Sequence, residues 1–282
     1  MMKKILIPLC TLMLTLADTA SSGESAFNAV LRVSDGKIIT FSQMMDDVKK
    51  AGIVFVGEVH DDSEHHRLEL AIIRAFHESD TPMAIGLEMF RADSQDVLDS
   101  WVRGKLTVEQ FMPAYYDNWR LPWHLYHDIY WYARDHEIRL VGLNIPYRLA
   151  EKVGRQGFAS LTEQEKKRLP PGISCTVDRT YREFIKKAYA GHSAGDRPFE
   201  NFCEAQMVWD KSMAWHLVQY LKQNPNTTVV VLAGVGHAWK RGIPEQATTE
   251  SRFTYRVILP LVTGQIDKKT VTLQDADYVV LR

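Results

Sequence analysis

Short runs of apolar, often β-branched residues alternate along the chain with segments in which apolar positions recur every three or four residues. The runs Phe27 to Val33, Lys37 to Thr40, Ile53 to Val56, Met83 to Leu87, Ile138 to Leu143, Thr228 to Ala233, Tyr255 to Leu259 and Tyr278 to Leu281 read as strands. Several are apolar at successive positions, as parallel strands buried on both faces are. The intervening segments read as helices. Ser63 caps one through Glu78, with Leu68, Ile72, Ala75 and Phe76 on its apolar side, and Asp93 caps another through Val102. Trp123 to Asp135 forms a third. Phe199 to Lys222 forms a fourth, striped by Phe202, Ala205, Trp209, Met213, Leu217 and Tyr220. This alternation predicts an α/β fold, a mostly parallel central sheet flanked by helices. From about 145 to 225 the pattern is nearly all helical and predicts a helical insertion capping one end of the sheet. Residues 21–282 therefore read as a single α/β domain, without internal repeats or low-complexity tracts.

At 282 residues and 45% hydrophobic, the chain has ample core for one large domain. A formal charge of −1 and no basic stripe remove the electrostatic case for nucleic acid. The first residues read as a targeting segment. Lys3 and Lys4 precede the apolar run Ile5 to Leu16, which gives way to small residues, so residues 1–20 fit a secretory signal peptide. The run falls short of the ~20 residues that span a bilayer. Cys10 is the residue a lipoprotein would modify, but Leu9 before it is bulky for the usual processing site. The mature protein is thus expected to be exported, periplasmic in a bacterium, with membrane association only through such lipidation. Cys175 and Cys203 remain after cleavage, and an oxidising compartment favours their pairing over two buried thiols. No Cys-x-x-Cys spacing supports a thiolate zinc site.

Three strands end in a polar turn that contains glycine: Gly57-Glu58-Val59-His60, Gly86-Leu87-Glu88 and Gly234-Val235-Gly236-His237. Parallel strands bring their C-terminal ends to one edge, so Glu58, His60, Glu88 and His237 can converge. Two imidazoles and two carboxylates suit a divalent metal with an open position for water, or a carboxylate base oriented by histidine. The plainer alternative is that these groups only satisfy one another and brace the loops. His65 and His66 fall in the first turn of a helix, where a well-capped, solvated helix start is as good a reading as ligation.

Phe111 to Tyr132 is dense in aromatic residues, including Tyr115, Tyr116, Trp119, Trp123, Tyr126, Tyr130 and Trp131. Packing beneath a loop explains such density, but a wall of phenols and imidazoles also suits haem, whose iron takes Tyr or His as an axial ligand. No Cys-x-x-Cys-His motif is present, so any haem would be non-covalent.

Taken in order, Gly57 to His60 with His65-His66, Gly86-Leu-Glu-Met-Phe90, Leu143-Asn-Ile-Pro146, Ala205 to Asp210 and Leu232 to His237 resemble the ChaN-like haem-binding uptake proteins of the Tiki superfamily. The resemblance implies an exported, often lipidated protein that binds haem in haem or iron uptake, with an α/β core and paired Gly-x-x-His elements. In related branches, among them metalloprotease-like proteins and erythromycin esterases, it implies hydrolytic chemistry at Glu58, His60, Glu88 and His237. A tyrosinate ligand suits ferric haem, and Tyr147, Tyr116 and Tyr115 are the candidates, with His192 behind them. An exposed aromatic haem face would favour a homodimer, and an outer-membrane haem uptake system is the delivery partner such a role implies. The competing expectation is a hydrolase of esterase or protease type, with a divalent metal in the strand-end cluster.

Overall fold

A computed structural model of the chain describes residues 27–170, 173, 179–191, 198–248 and 253–281. The expected signal peptide, Cys10, Cys175 and His192 lie outside them. In chain order the elements begin with β1 (Val30–Arg32), β2 (Lys37–Ile39), α1 (Phe41–Val48), β3 (Ile53–Glu58), α2 (Ser63–His77) and β4 (Met83–Arg91). Then come α3 (Gln95–Val102), α4 (Val108–Asn118), α5 (Trp123–Asp135), β5 (Arg139–Asn144), α6 (Tyr147–Gln156), α7 (Glu163–Lys166), α8 (Arg179–Gly191) and α9 (Phe199–Gln223). β6 (Thr228–Gly234), α10 (Val235–Ala238), α11 (Ile243–Thr248), β7 (Tyr255–Pro260) and β8 (Tyr278–Val280) complete the fold.

The strands form one sheet in the order β2-β1-β8-β7-β3-β6-β4-β5. From β8 to β5 every pairing is parallel, and β1 and β2 extend one edge as antiparallel strands. The continuous apolar runs are explained by burial on both faces. Val54 and Val56 of β3 and Val230 and Leu232 of β6 pack toward α1, α2 and α5. Their neighbours Ile53, Phe55, Val229, Val231 and Ala233 pack toward α9 and α11. Side chains that alternate across a strand thus feed two separate cores.

Several helix starts differ from expectation. Asp62, not Ser63, caps α2, its Oδ1 accepting from the Glu64 amide at 2.9 Å, because Ser63 is already helical. Asp93 lies in a 3-10 turn over Ala92–Ser94 and accepts from Arg91 Nε, while α3 begins after it at Gln95 without a side-chain cap. Both α1 and α4 were absent from the expected helices, although each opens on a capping box, Thr40 with Gln43 and Thr107 with Gln110. Between β5 and β6 the chain carries α6 to α9. α6 and the first half of α9 share a small core of Leu149, Ala150, Val153, Ala205 and Val208, whereas Met213, Leu217 and Leu221 of α9 cover the sheet. Cys203 on α9 is half of a disulfide.

Candidate functional site

Strand parity decides which way each polar side chain leaves the sheet. Glu58 shares the face of Val54 and Val56 and so points toward α2 and α5. Glu88 alternates with Leu87 and Met89, which face that same core, so it points to the opposite side, toward α9 and α10. His60, beyond the end of β3, bridges the two. Its Nδ1 lies 2.7 Å from Glu58 Oε1 and its Nε2 lies 3.9 Å from Glu88 Oε1. His237, in the short α10 after β6, brings Nε2 to 3.7 Å from the same Glu88 oxygen. Glu88 Oε2 accepts from the Gly234 amide at 2.7 Å, which ties the β4 carboxylate to the end of β6. All four residues expected at the strand ends therefore meet.

The chain of contacts continues at both ends through residues that were not expected there. His237 Nδ1 lies 2.6 Å from Asp210 Oδ1 on α9, and the Tyr181 hydroxyl of α8 donates to Asp210 Oδ2. On the other side the Tyr126 hydroxyl of α5 donates to Glu58 Oε1 at 2.7 Å. His65 and His66 are buried, not solvated. The Val59 amide donates to His65 Nδ1 at 2.9 Å, and His66 Nε2 lies 2.7 Å from Glu58 Oε2, off the line a hydrogen bond needs. Glu69, one turn further along α2, is fully buried, and among the described residues neither carboxylate oxygen is hydrogen-bonded.

These environments move the titrations in opposite directions. Burial alone would raise the Glu58 carboxyl, but His60 and His66 beside it hold it down to about 2. Burial works against a charged His237, yet the Glu88 and Asp210 carboxylates outweigh it and lift the imidazole to about 9. Glu69 is pushed well above the usual carboxylate range by burial and by the nearby Glu58 and Glu88.

Glu58, His60, Glu88 and His237 open onto a cleft of about 790 Å³. Such a volume lies in the ~300–1,000 Å³ range of small-molecule and cofactor sites. Trp119 sets its ring edge-on against His60 with centroids 5.0 Å apart, and Trp209 does so against His237 at 6.0 Å. Leu121, Ile145, Arg120 and Tyr147 complete the mouth. Tyr147 is 47% exposed, its hydroxyl makes no hydrogen bond among the described residues, and the Arg120 guanidinium sits 4.9 Å from its ring centroid. The other tyrosines expected as iron ligands do not line the cleft. Tyr115 is fully buried and donates to the Leu121 carbonyl at 3.1 Å, while Tyr116 is exposed and accepts from the Trp123 amide at 3.4 Å. Phe111, Tyr126 and Tyr130 likewise pack as core with Trp101, so most of the aromatic segment fills the interior and its Asp117 to Leu121 stretch is the part that lines the cleft.

The fold and cleft define an α/β protein with paired Gly-x-x-His turns at one sheet edge. The model of the haem-binding uptake family (Tiki superfamily, ChaN) matches residues 44–247, and the chain belongs to that family. Among solved structures it is similar to ChaN of Campylobacter jejuni in a structure describing cofacial haem binding, with a TM-score of 0.71 and 21% identity over 89% of this chain and 95% of that one. It is also similar to an erythromycin esterase, EreC, in its open conformation, with a TM-score of 0.50 and 15% identity over 83% and 76% of the two chains. At these identities the likeness shows the shared fold. No match was found among curated proteins. Among the described residues no helix is long and apolar enough to cross a membrane.

Proposed function

We propose that this protein is exported and binds haem non-covalently in the cleft, acting in haem or iron uptake, with Tyr147 as the iron ligand. The observation that carries the reading is an exposed phenol with a free hydroxyl at the mouth of a cofactor-sized cleft, beside a guanidinium. A phenolate is a hard anionic donor suited to ferric iron. Trp119, Leu121 and Trp209 offer apolar surface to a porphyrin face, and Arg120 offers a cation to its carboxylates. The family membership supports the same ligand. An exposed haem edge at this mouth would favour pairing of two copies, and haem would arrive from an outer-membrane uptake system.

Titration of the purified protein with hemin should develop a shifted Soret band and the charge-transfer bands of a tyrosinate complex. Tyr147→Phe should abolish the charge-transfer bands and weaken binding at least tenfold, whereas Tyr115→Phe and Tyr116→Phe should leave the spectrum unchanged. A Tyr147→Phe spectrum identical to that of the parent would assign the ligand elsewhere, and the spectrum of free hemin throughout would end the haem reading.

A second reading, hydrolysis at the cleft floor, is favoured by one observation: His60 and His237 flank the same oxygen of a nearly buried Glu88. A carboxylate between two imidazoles can serve as a general base. Ester or peptide hydrolysis that falls by 10²-fold or more in Glu88→Gln would support it. Equal rates in the two proteins would dismiss it.

A further inference from the structure

The polar chain does not end at the cleft floor. Behind Glu58, on the side of the sheet away from His237, three ligand atoms from Glu58, His66 and Glu69 lie within 4.8 Å of one another, all on buried residues. His66 and Glu69 are three apart on α2 and so present one face of that helix to the end of β3. The hydrogen bonds around Glu58 leave this group unsatisfied. His60 and Tyr126 both engage Oε1, while Oε2 lies against His66 without an aligned partner. Among the described residues, both oxygens of Glu69 and both ring nitrogens of His66 are also without a hydrogen bond.

Buried carboxylates without partners are costly, because each loses its water and gains nothing in exchange. Glu69 is such a group, and a dication held between its carboxyl, that of Glu58 and the His66 ring would supply the partner it lacks among the described residues. We propose that Glu58, His66 and Glu69 bind a divalent first-row transition-metal ion behind the cleft. Mixed oxygen and imidazole donors suit Mn(II), Fe(II) or Zn(II). Calcium, which takes six to eight oxygens, would find too few donors here, and the absence of thiolates argues against Cu(I). Ligands at ~2.1 Å from a metal stand roughly 3 Å or more from one another. Entry of the ion therefore needs His66 and Glu58 to part by a few tenths of an ångström from 2.7 Å, and needs any donors of the three, which span up to 4.8 Å, that stand more than about 4.2 Å apart to draw together. The outer contacts are built as such sites require. Tyr126 donates to the Glu58 oxygen that faces away from the ion, and its ring lies against the His66 ring with centroids 4.2 Å apart, holding the imidazole in place. Because Glu58 also bonds His60, the ion would fix the orientation of the cleft-floor imidazole.

The proposal is independent of the haem reading and is tested on haem-free full-length protein purified without chelator. Elemental analysis should find close to one equivalent of Mn, Fe or Zn per chain. Chelator should lower the Tm, and adding back the same ion should restore it. Glu69→Gln, which is nearly isosteric, and His66→Ala should each lose the metal and the Tm response. Glu88→Gln and Tyr147→Phe should retain both. Less than a tenth of an equivalent in the parent, with no Tm change on adding any of the three ions, would overturn the site. So would metal that stays in Glu69→Gln, or metal lost from Glu88→Gln, since either would move it to the cleft floor. A Glu69→Leu variant that is metal-free yet more stable than the parent in excess metal would show the cluster to be an unpaired buried carboxyl, and would also overturn it.

Discussion

At the scale of single residues, the absence of a side chain matters as much as the presence of one. A Cβ on Gly234 would sit 2.8 Å from His60 Cε1 and 2.9 Å from its Nε2, so the glycine is what lets the imidazole lie over the end of β6. The obstructing atoms belong to the tip of a side chain that is about a third exposed and able to move. A Cβ on Gly142 would instead meet the Arg91 carbonyl oxygen at 2.4 Å and its carbon at 2.8 Å, both backbone. The two substitutions should therefore separate function from stability. Gly142→Ala should cost about 1–3 kcal/mol or more, as overpacking against a rigid neighbour does. Gly234→Ala should cost no more than about 1 kcal/mol, the worth of a single disturbed hydrogen bond, while shifting the ring ¹⁵N resonances of His60. Urea denaturation and imidazole NMR on both variants measure this. Equal stability losses, or unmoved His60 resonances in Gly234→Ala, would contradict the steric argument.

At the scale of elements, what the sequence disclosed depended on whether the signal was local. β3 and β6 were legible because both their faces are buried, so the positions from Ile53 and from Val229 onward are apolar or glycine until the chain reaches Glu58 in the one and His237 beyond the other. The meeting of Glu58, His60, Glu88 and His237 followed from parallel strands alone. The partners behind them did not, because they depend on which face of a helix meets the sheet. Glu69 lies on the face of α2 that carries Ile72, Ile73 and Phe76, and an acid set among buried apolar positions was the available clue. Asp210 carried the same clue on α9, between the buried Val208 and Ser212. The aromatic segment misled for a related reason: the tyrosines of α4 and α5 look alike in sequence, yet Tyr115, Tyr126 and Tyr130 turn inward while Tyr116 turns out. α1 was legible in principle, since Phe41, Met44, Met45 and Val48 follow helical spacing behind a capping box, but it is only eight residues long. Helices that short give a weak periodic signal.

At the scale of the whole molecule, the sheet must close between segments from opposite ends of the chain, and one ion pair marks that closure. Asp47 of α1 accepts from Arg256 of β7 through Nε at 2.6 Å and Nη2 at 3.0 Å, and from the Tyr278 hydroxyl of β8 at 2.8 Å. The Arg256 hydrogen bonds, helped by Tyr278 and by the charges of Arg256 and Lys50, hold the Asp47 carboxyl below its usual value despite partial burial. Once unfolded, the group returns to a pKa near ~3.9. Because the folded value is the lower one, the stabilisation is complete above about pH 4–5 and drains away as pH falls through the folded value. The pair is about one-third exposed, so solvent screening limits it to about 1 kcal/mol even with two-pronged geometry. Asp47→Asn should therefore unfold at lower urea than the parent at pH 7, and the gap should narrow steadily toward pH 3. It should also narrow at neutral pH in 1 M salt, since screening weakens an exposed pair. A gap unchanged by acid and by salt would mean that shape and hydrogen bonding at this junction, and not charge, join α1 to the last two strands of the sheet.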